Sequence, residues 1–193
     1  MDRTKLSLFS GWTAVGAGLM WLFWTAMPWS SVLAFALGFS LLNLIGLHAG
    51  QQRHMGRAGW AGLLVALCGL GLALVSLGMI AGIADRRQAG MLEILTLVGV
   101  GSSGAGLALC GAVAQDSDRL AQWRGMFLQL GILTIASTTW FWFFILNQPY
   151  PSAPVGAVWI GLGVLVGIGW IRIGLPLVSY AQESEIEQAS ERS

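Results

Sequence analysis

The chain has 193 residues, 55% of them apolar and 10% charged, with ten Lys or Arg against nine Asp or Glu. A soluble domain spreads about a quarter of its sequence as charge over all its elements, yet here residues 6–52, 58–84, 94–115 and 125–171 hold no Asp, Glu, Lys or Arg. The pattern excludes a soluble globular domain and describes a polytopic membrane protein, and the basic residues, split among the gaps, leave no continuous face for nucleic acid.

A spanning helix needs roughly 20 apolar residues, because a rise of about 1.5 Å per residue must cross about 30 Å of hydrocarbon. The run 6–52 is therefore two helices long. Helix 1 is expected near 7–27 and helix 2 near 31–50, folded back at Pro28-Trp29-Ser30-Ser31, where proline removes a backbone donor and serine caps the second helix. The apolar stretch of helix 1 exceeds a signal-peptide core and is followed by no A-x-A-like site, so it is kept as a span; no lipidation signature accompanies it. Helix 3 is expected near 59–83 and helix 4 near 90–114. The run 125–171 divides at Asn147-Gln148-Pro149-Tyr150-Pro151-Ser152-Ala153-Pro154 into helix 5, near 125–147, and helix 6, near 155–178. Residues 183–193, with four Glu and one Arg, read as a disordered acidic tail after a single domain over 1–182. Lipid satisfies no loose backbone group, so the fold class is all-α with six continuous transmembrane helices, and the all-round apolarity argues against a β-barrel.

These six helices form three hairpins of one sense. With the N-terminus inside, the inner side receives Arg3, Lys5, Arg53, Arg57, Arg119, Arg124 and Arg172, and the outer side only Arg86 and Arg87, so the positive-inside rule favours N-in/C-in in a bacterial-type cytoplasmic membrane. Tryptophan prefers the headgroup level and sorts into the same two belts: Trp12, Trp60, Trp123 and Trp170 inside, Trp24, Trp29, Trp140, Trp142 and Trp159 outside. Aromatic clusters before the two proline turns (Trp21, Phe23, Trp24; then Trp140 to Phe144) are explained mostly by the gathering of aromatic residues at an outer interface, with a faint parallel repeat of hairpins as the alternative, and no inverted repeat of the transporter type is visible.

Among 27 glycines, Gly46 and Gly50, Gly78 and Gly82, and Gly163 and Gly167 stand four apart, one pair each on helices 2, 3 and 6, while Gly99, Gly101, Gly104, Gly106 and Gly111 thin out helix 4. Small residues let backbones approach closely, so these are helix-packing candidates, within the chain or towards another subunit. Polar groups inside a bilayer are the default functional candidates. Asn43 lies near the middle of helix 2, with Ser40 one turn away. Glu93 falls in the first turn of helix 4, where the helix dipole favours an anion and Arg86 or Arg87 approaches, and Arg172 sits late enough in helix 6 for its guanidinium to reach the inner interface.

Gly101-Ser102-Ser103-Gly104 resembles the G-x-S-G nucleophile motif of rhomboid proteases, six-helix membrane proteins of about this size. The resemblance covers four residues and implies Ser103 as nucleophile, activated by a histidine in the sixth helix. Helix 6 has no histidine, and the few residues joining helices 1 and 2 leave no room for that family's long first loop. His48 and His54, the only histidines, fall at or beyond the inner end of helix 2 on different faces, which cannot supply bis-histidine haem ligation within the chain. Cys68 and Cys110 read as free, small apolar residues, and no Walker loop, dinucleotide fingerprint or paired-carboxylate motif is present. No metal or cofactor is expected.

Many close-packing motifs beside few buried ionisable groups point to a non-catalytic accessory or scaffolding subunit, its partners the lipid bilayer and other membrane subunits or further copies of itself. The competing expectation is a carrier or substrate-binding membrane subunit for an apolar or neutral small molecule, similar in size and helix count to the vitamin-binding subunits of energy-coupling-factor transporters. That alternative requires a cavity lined by Asn43, Ser40, Thr134, Ser137, Thr138 and outer aromatic residues such as Trp140.

Overall fold

The structure, a computed structural model, describes residues 3–27, 30–51, 57–80, 86–113, 118–145 and 153–190. Apart from a bend at Met27 it is helical throughout these: α1 (Arg3–Ala26), α2 (Ser30–Gln51), α3 (Arg57–Ile80), α4 (Arg86–Val113), α5 (Asp118–Trp140) and α6 (Ala153–Ser190). Five of them, α1, α3, α4, α5 and α6, are long and apolar enough to cross a membrane, while the apolar part of α2, Ser31–Leu47, is shorter. The chain is a membrane protein. Of the two expected turns, Pro28-Trp29 and 147–152 lie outside the described residues, while Ser30 opens α2 and Pro154 falls in the first turn of α6, where its missing N–H costs nothing.

Residues 183–190, in the segment expected as an acidic tail, form the last turns of α6. Glu, Gln and Ala are good helix formers, and extending a helix that is already nucleated costs far less than starting one. One expectation needs correcting: helix 5 is not a plain α-helix to its end, because Phe141–Ile145 forms a π turn. The wider turn sets the Phe141 ring 5.9 Å from Trp159, which stands 4.9 Å edge-on to Trp24, itself 5.4 Å from Trp21. An aromatic cluster thereby ties α1, α5 and α6 together at the end of the bundle opposite Lys5.

Each helix packs on its neighbour in the chain, and α6 returns to pack on α1, closing a ring. The α3–α4 and α1–α6 pairs are the tightest, and α2–α3 and α5–α6 the loosest. Glycine explains the tight pairs. A β-carbon at Gly99 would stand 2.6 Å from the Gly69 carbonyl oxygen, one at Gly62 2.8 Å from that of Gly106, one at Gly174 2.6 Å from that of Gly11, and one at Gly167 2.9 Å from that of Gly18. Backbone therefore lies on backbone in both seams, the contact on which helix association in lipid depends.

The two seams are copies of each other. In α1–α6, Gly11 meets Gly174 and Val178, Gly18 meets Gly167 and Ile171, Gly167 meets Leu22, and Gly174 meets Val15. In α3–α4, Gly99 meets Gly69 and Ala73, Gly106 meets Gly62 and Ala66, Gly62 meets Cys110, and Gly69 meets Ser103. Every position of α1 corresponds to one of α4 at a single constant offset in sequence, and every position of α6 to one of α3 at another. The sequence carries the same signature: Gly11-x-x-x-x-Gly16-Ala17-Gly18-Leu19 recurs as Gly99-x-x-x-x-Gly104-Ala105-Gly106-Leu107. Likewise Gly62, Gly69, Leu70 and Leu72 recur in step as Gly167, Gly174, Leu175 and Leu177. The contacts make α1 antiparallel to α6, α6 to α5 and α5 to α4, so α1 and α4 run in opposite directions. The two halves, α1–α2–α3 and α4–α5–α6, are thus an inverted repeat related by a pseudo-two-fold axis across the helices, which corrects the reading that none is present.

Candidate functional site

The polar residues of the bundle fall into two sets, one on α2 and one on α5. Asn43 is fully buried against α1, where its Nδ2 donates to the Ser10 carbonyl at 2.6 Å and to Ser10 Oγ at 3.1 Å. Ser10 Oγ in turn donates to the Asn43 carbonyl at 3.1 Å. Gly46 makes this approach possible, since a β-carbon there would stand 2.9 Å from Ser10 Cβ. Ser40, also buried, donates to the Ala36 carbonyl of its own helix at 2.8 Å. Asn43 Oδ1 has no hydrogen-bond partner, nor does Trp21 Nε1, which is buried further along α1.

On α5 the hydroxyls follow the same local rule. Thr134 donates to the Leu130 carbonyl at 2.8 Å and Thr138 to the Thr134 carbonyl at 2.8 Å, the back-bonding that satisfies a hydroxyl inside a helix. Buried Thr134 and half-buried Thr138 ride on α4, where a β-carbon at Gly104 would stand 3.0 Å from Thr134 Cβ and one at Gly101 3.5 Å from Thr138 Cγ2, and Ser137 is also buried. Trp140 is half-buried at the end of the same helix. Asn43 of the α2 set therefore packs on α1, and Thr134 and Thr138 of the α5 set on α4, two helices that the pseudo-two-fold exchanges.

The glycines sort by position. Gly46 lies on α1, and Gly163 and Gly167 also lie on α1, at Thr25 and at Gly18 respectively, whereas Gly78 faces nothing within 4 Å. Gly82 and the surroundings of Gly50 lie outside the described residues, as do the side chains of His48 and His54. Glu93 is exposed on the first turns of α4, and the side chains of Arg86 and Arg87, its expected partners, are outside the described residues. Ser103 is buried in the α3–α4 seam and donates to the Val100 carbonyl at 2.7 Å, so its hydroxyl is engaged in its own helix. Buried Cys110 donates to the Gly59 carbonyl at 3.4 Å across the same seam; it and exposed Cys68 are free thiols. Among the described residues no three His, Cys, Asp or Glu side chains converge on one point.

One partner is not evident from the sequence, and one residue is not singled out there. Ser10 is the partner of Asn43, and only its place one residue before the Gly11 motif marks it. Pro176 lies inside α6, and its lack of an N–H frees the Arg172 carbonyl from the helical ladder. Arg172 is itself exposed, and it borders a groove of about 370 Å³ between α5 and α6. The chain matches no protein-family model, no curated protein and no solved structure.

Proposed function

We propose that this chain is a non-catalytic scaffolding subunit of a membrane assembly, six helices crossing a cytoplasmic membrane with both termini inside. The observation that carries this reading is the Asn43–Ser10 lock together with the two glycine seams, which commit the polar groups and the small-residue faces of the bundle to holding its own helices. What such a bundle presents outward is apolar and aromatic, including Phe35, Val75, Met91 and Phe143, each more than 60% exposed. Lys5, Arg57 and Arg172 collect at one end of the helices, which supports placing that end inside. The test is purification in mild detergent followed by native mass spectrometry. A scaffold emerges with a second polypeptide, or a second copy, in fixed ratio; a monomer that drives saturable solute uptake in liposomes contradicts it.

One observation favours the alternative, a carrier for a small apolar or neutral molecule. Inverted repeats about an axis in the membrane plane are the common architecture of alternating-access transporters, and here the α2–α3 and α5–α6 contacts are the loose ones, between a unit of α6, α1 and α2 and a unit of α3, α4 and α5 that a carrier would move against each other. Uptake in liposomes that is lost when both loose contacts are cross-linked distinguishes this reading from the first.

A further inference from the structure

The groove between α5 and α6 combines polar and apolar side chains. Gln129, Ile132 and Leu133 line one wall, Leu165, Ile168 and Arg172 the other, and Leu130 and Gly169 form the floor. A β-carbon at Gly169 would stand 3.0 Å from Leu130 Cδ1, so the missing side chain leaves room above a buried leucine. Depth along the helices separates the polar from the apolar lining. The spanning stretch of α5 begins at Gly125 and that of α6 ends at Ser179, so Gln129 and Arg172 lie towards the end of the bundle that carries Lys5. Ile132 and Leu165 lie deeper, by roughly 5 and 10 Å at about 1.5 Å per residue.

We infer that this groove binds an anionic phospholipid of the leaflet on the Lys5 side, its phosphate held by the Arg172 guanidinium with Gln129 donating beside it and one acyl chain laid against Ile132 and Leu165. Three observations support it. Arg172 makes no ion pair among the described residues, and an arginine at this depth needs an anion within reach of its side chain. The position does not require arginine for packing, because the pseudo-two-fold carries Arg172 onto Leu67, where the equivalent helix is satisfied by an apolar residue. Pockets between spanning helices with a basic residue at headgroup level are the places where anionic headgroups are recognised. Lipid binding here needs only that α5 and α6 cross a membrane, whether the chain is a scaffold or a carrier.

The experiment is native mass spectrometry of the delipidated full chain titrated with phosphatidylglycerol or phosphatidylcholine. Wild-type protein should hold phosphatidylglycerol about tenfold more tightly, about 1.4 kcal/mol in binding free energy. Arg172→Gln should reduce it to the phosphatidylcholine level, and Arg172→Lys should restore most of the preference. Soluble glycerol phosphate should not compete, because the groove also takes the acyl chain. Equal retention of the two lipids by wild-type protein, a preference that survives Arg172→Gln, or full displacement by glycerol phosphate overturns the proposal. If Arg172→Gln fails to fold, Leu165→Trp, which fills the acyl wall and leaves the guanidinium in place, must weaken phosphatidylglycerol retention instead.

Discussion

At the scale of single residues, Asn43 shows how a polar side chain stabilises a helix pair in lipid. Its amide and the Ser10 hydroxyl each donate to the other residue's backbone, so removing either leaves groups without donors or acceptors in a place water does not reach. Bonds between membrane helices contribute about 0.6 kcal/mol on average and up to about 1.7 in measured cases. Asn43→Ala is expected to cost about 1–2 kcal/mol. A double-mutant cycle with Ser10→Ala, followed by unfolding in mixed micelles, reads the Nδ2–Oγ bond alone, since each bond to a backbone carbonyl survives truncation of the other side chain, and should show coupling of about 0.6 kcal/mol. Additive effects would mean that the two side chains do not interact. Asn43 was legible in the sequence as a lone amide near the middle of an apolar run. Its partner was not, because the pairing depends on which face of α1 meets α2, and a serine in an apolar helix can as easily bond to its own backbone, as Ser40 does.

At the scale of elements, glycine spacing decides which helices come close. Pairs four apart drew attention to Gly46, Gly163 and Gly167, which do lie on α1, and to Gly78, which faces no neighbour. The seams themselves use glycines seven apart, as in Gly11 and Gly18 or Gly62 and Gly69. Two helices crossing at a shallow angle meet again every second turn, so a seven-residue period marks a long contact where a four-residue pair marks a short one. Valine at Gly69, Gly106 or Gly18 should destabilise the bundle by at least about 1–3 kcal/mol, since the added methyl groups meet rigid backbone. Valine at Gly71 or Gly78 meets open space and should change stability by no more than about 0.5 kcal/mol. Thermal unfolding in detergent across these five variants checks the contrast, and a uniform response would contradict the seams. Helix existence and order were plain in the charge-free runs; the π turn at Phe141–Ile145 and the extension of α6 to Ser190 were not, because both depend on local packing and on continuation from an existing helix.

At the scale of the whole molecule, the inverted repeat accounts for features that look unrelated when taken singly. It explains why the tight contacts are α3–α4 and α1–α6, why the loose ones are α2–α3 and α5–α6, and why hydroxyl-bearing faces pack on α1 and α4 alike. It was hidden in the sequence because the elements shared by the two halves are a few small residues each, set among interchangeable apolar side chains. Larger residues also fill the same seam positions in one copy: Val15, Leu22, Ile171 and Val178 stand where the other has Ser103, Cys110, Ala66 and Ala73. The topology we propose has three crossings in each half. Cysteines at Lys5 and Gln182, introduced one at a time after replacing Cys68 and Cys110 with alanine, should both react with a membrane-impermeant maleimide from the inner face only. Labelling of the two from opposite faces would remove one span.

Disulfide trapping in native membranes reads out whether α6 returns to α1 and closes the ring. Thr25 Cβ and a β-carbon at position 163 stand 3.8 Å apart, as do Leu130 Cβ and a β-carbon at position 169, close to the separation of about 3.8 Å found in disulfides. In the cysteine-free background, mild oxidation should cross-link Thr25→Cys with Gly163→Cys and Leu130→Cys with Gly169→Cys within one chain, and leave Thr25→Cys with Gly101→Cys unlinked. Cross-linking of that last pair, or failure of the first two in folded protein, would contradict the closed six-helix ring.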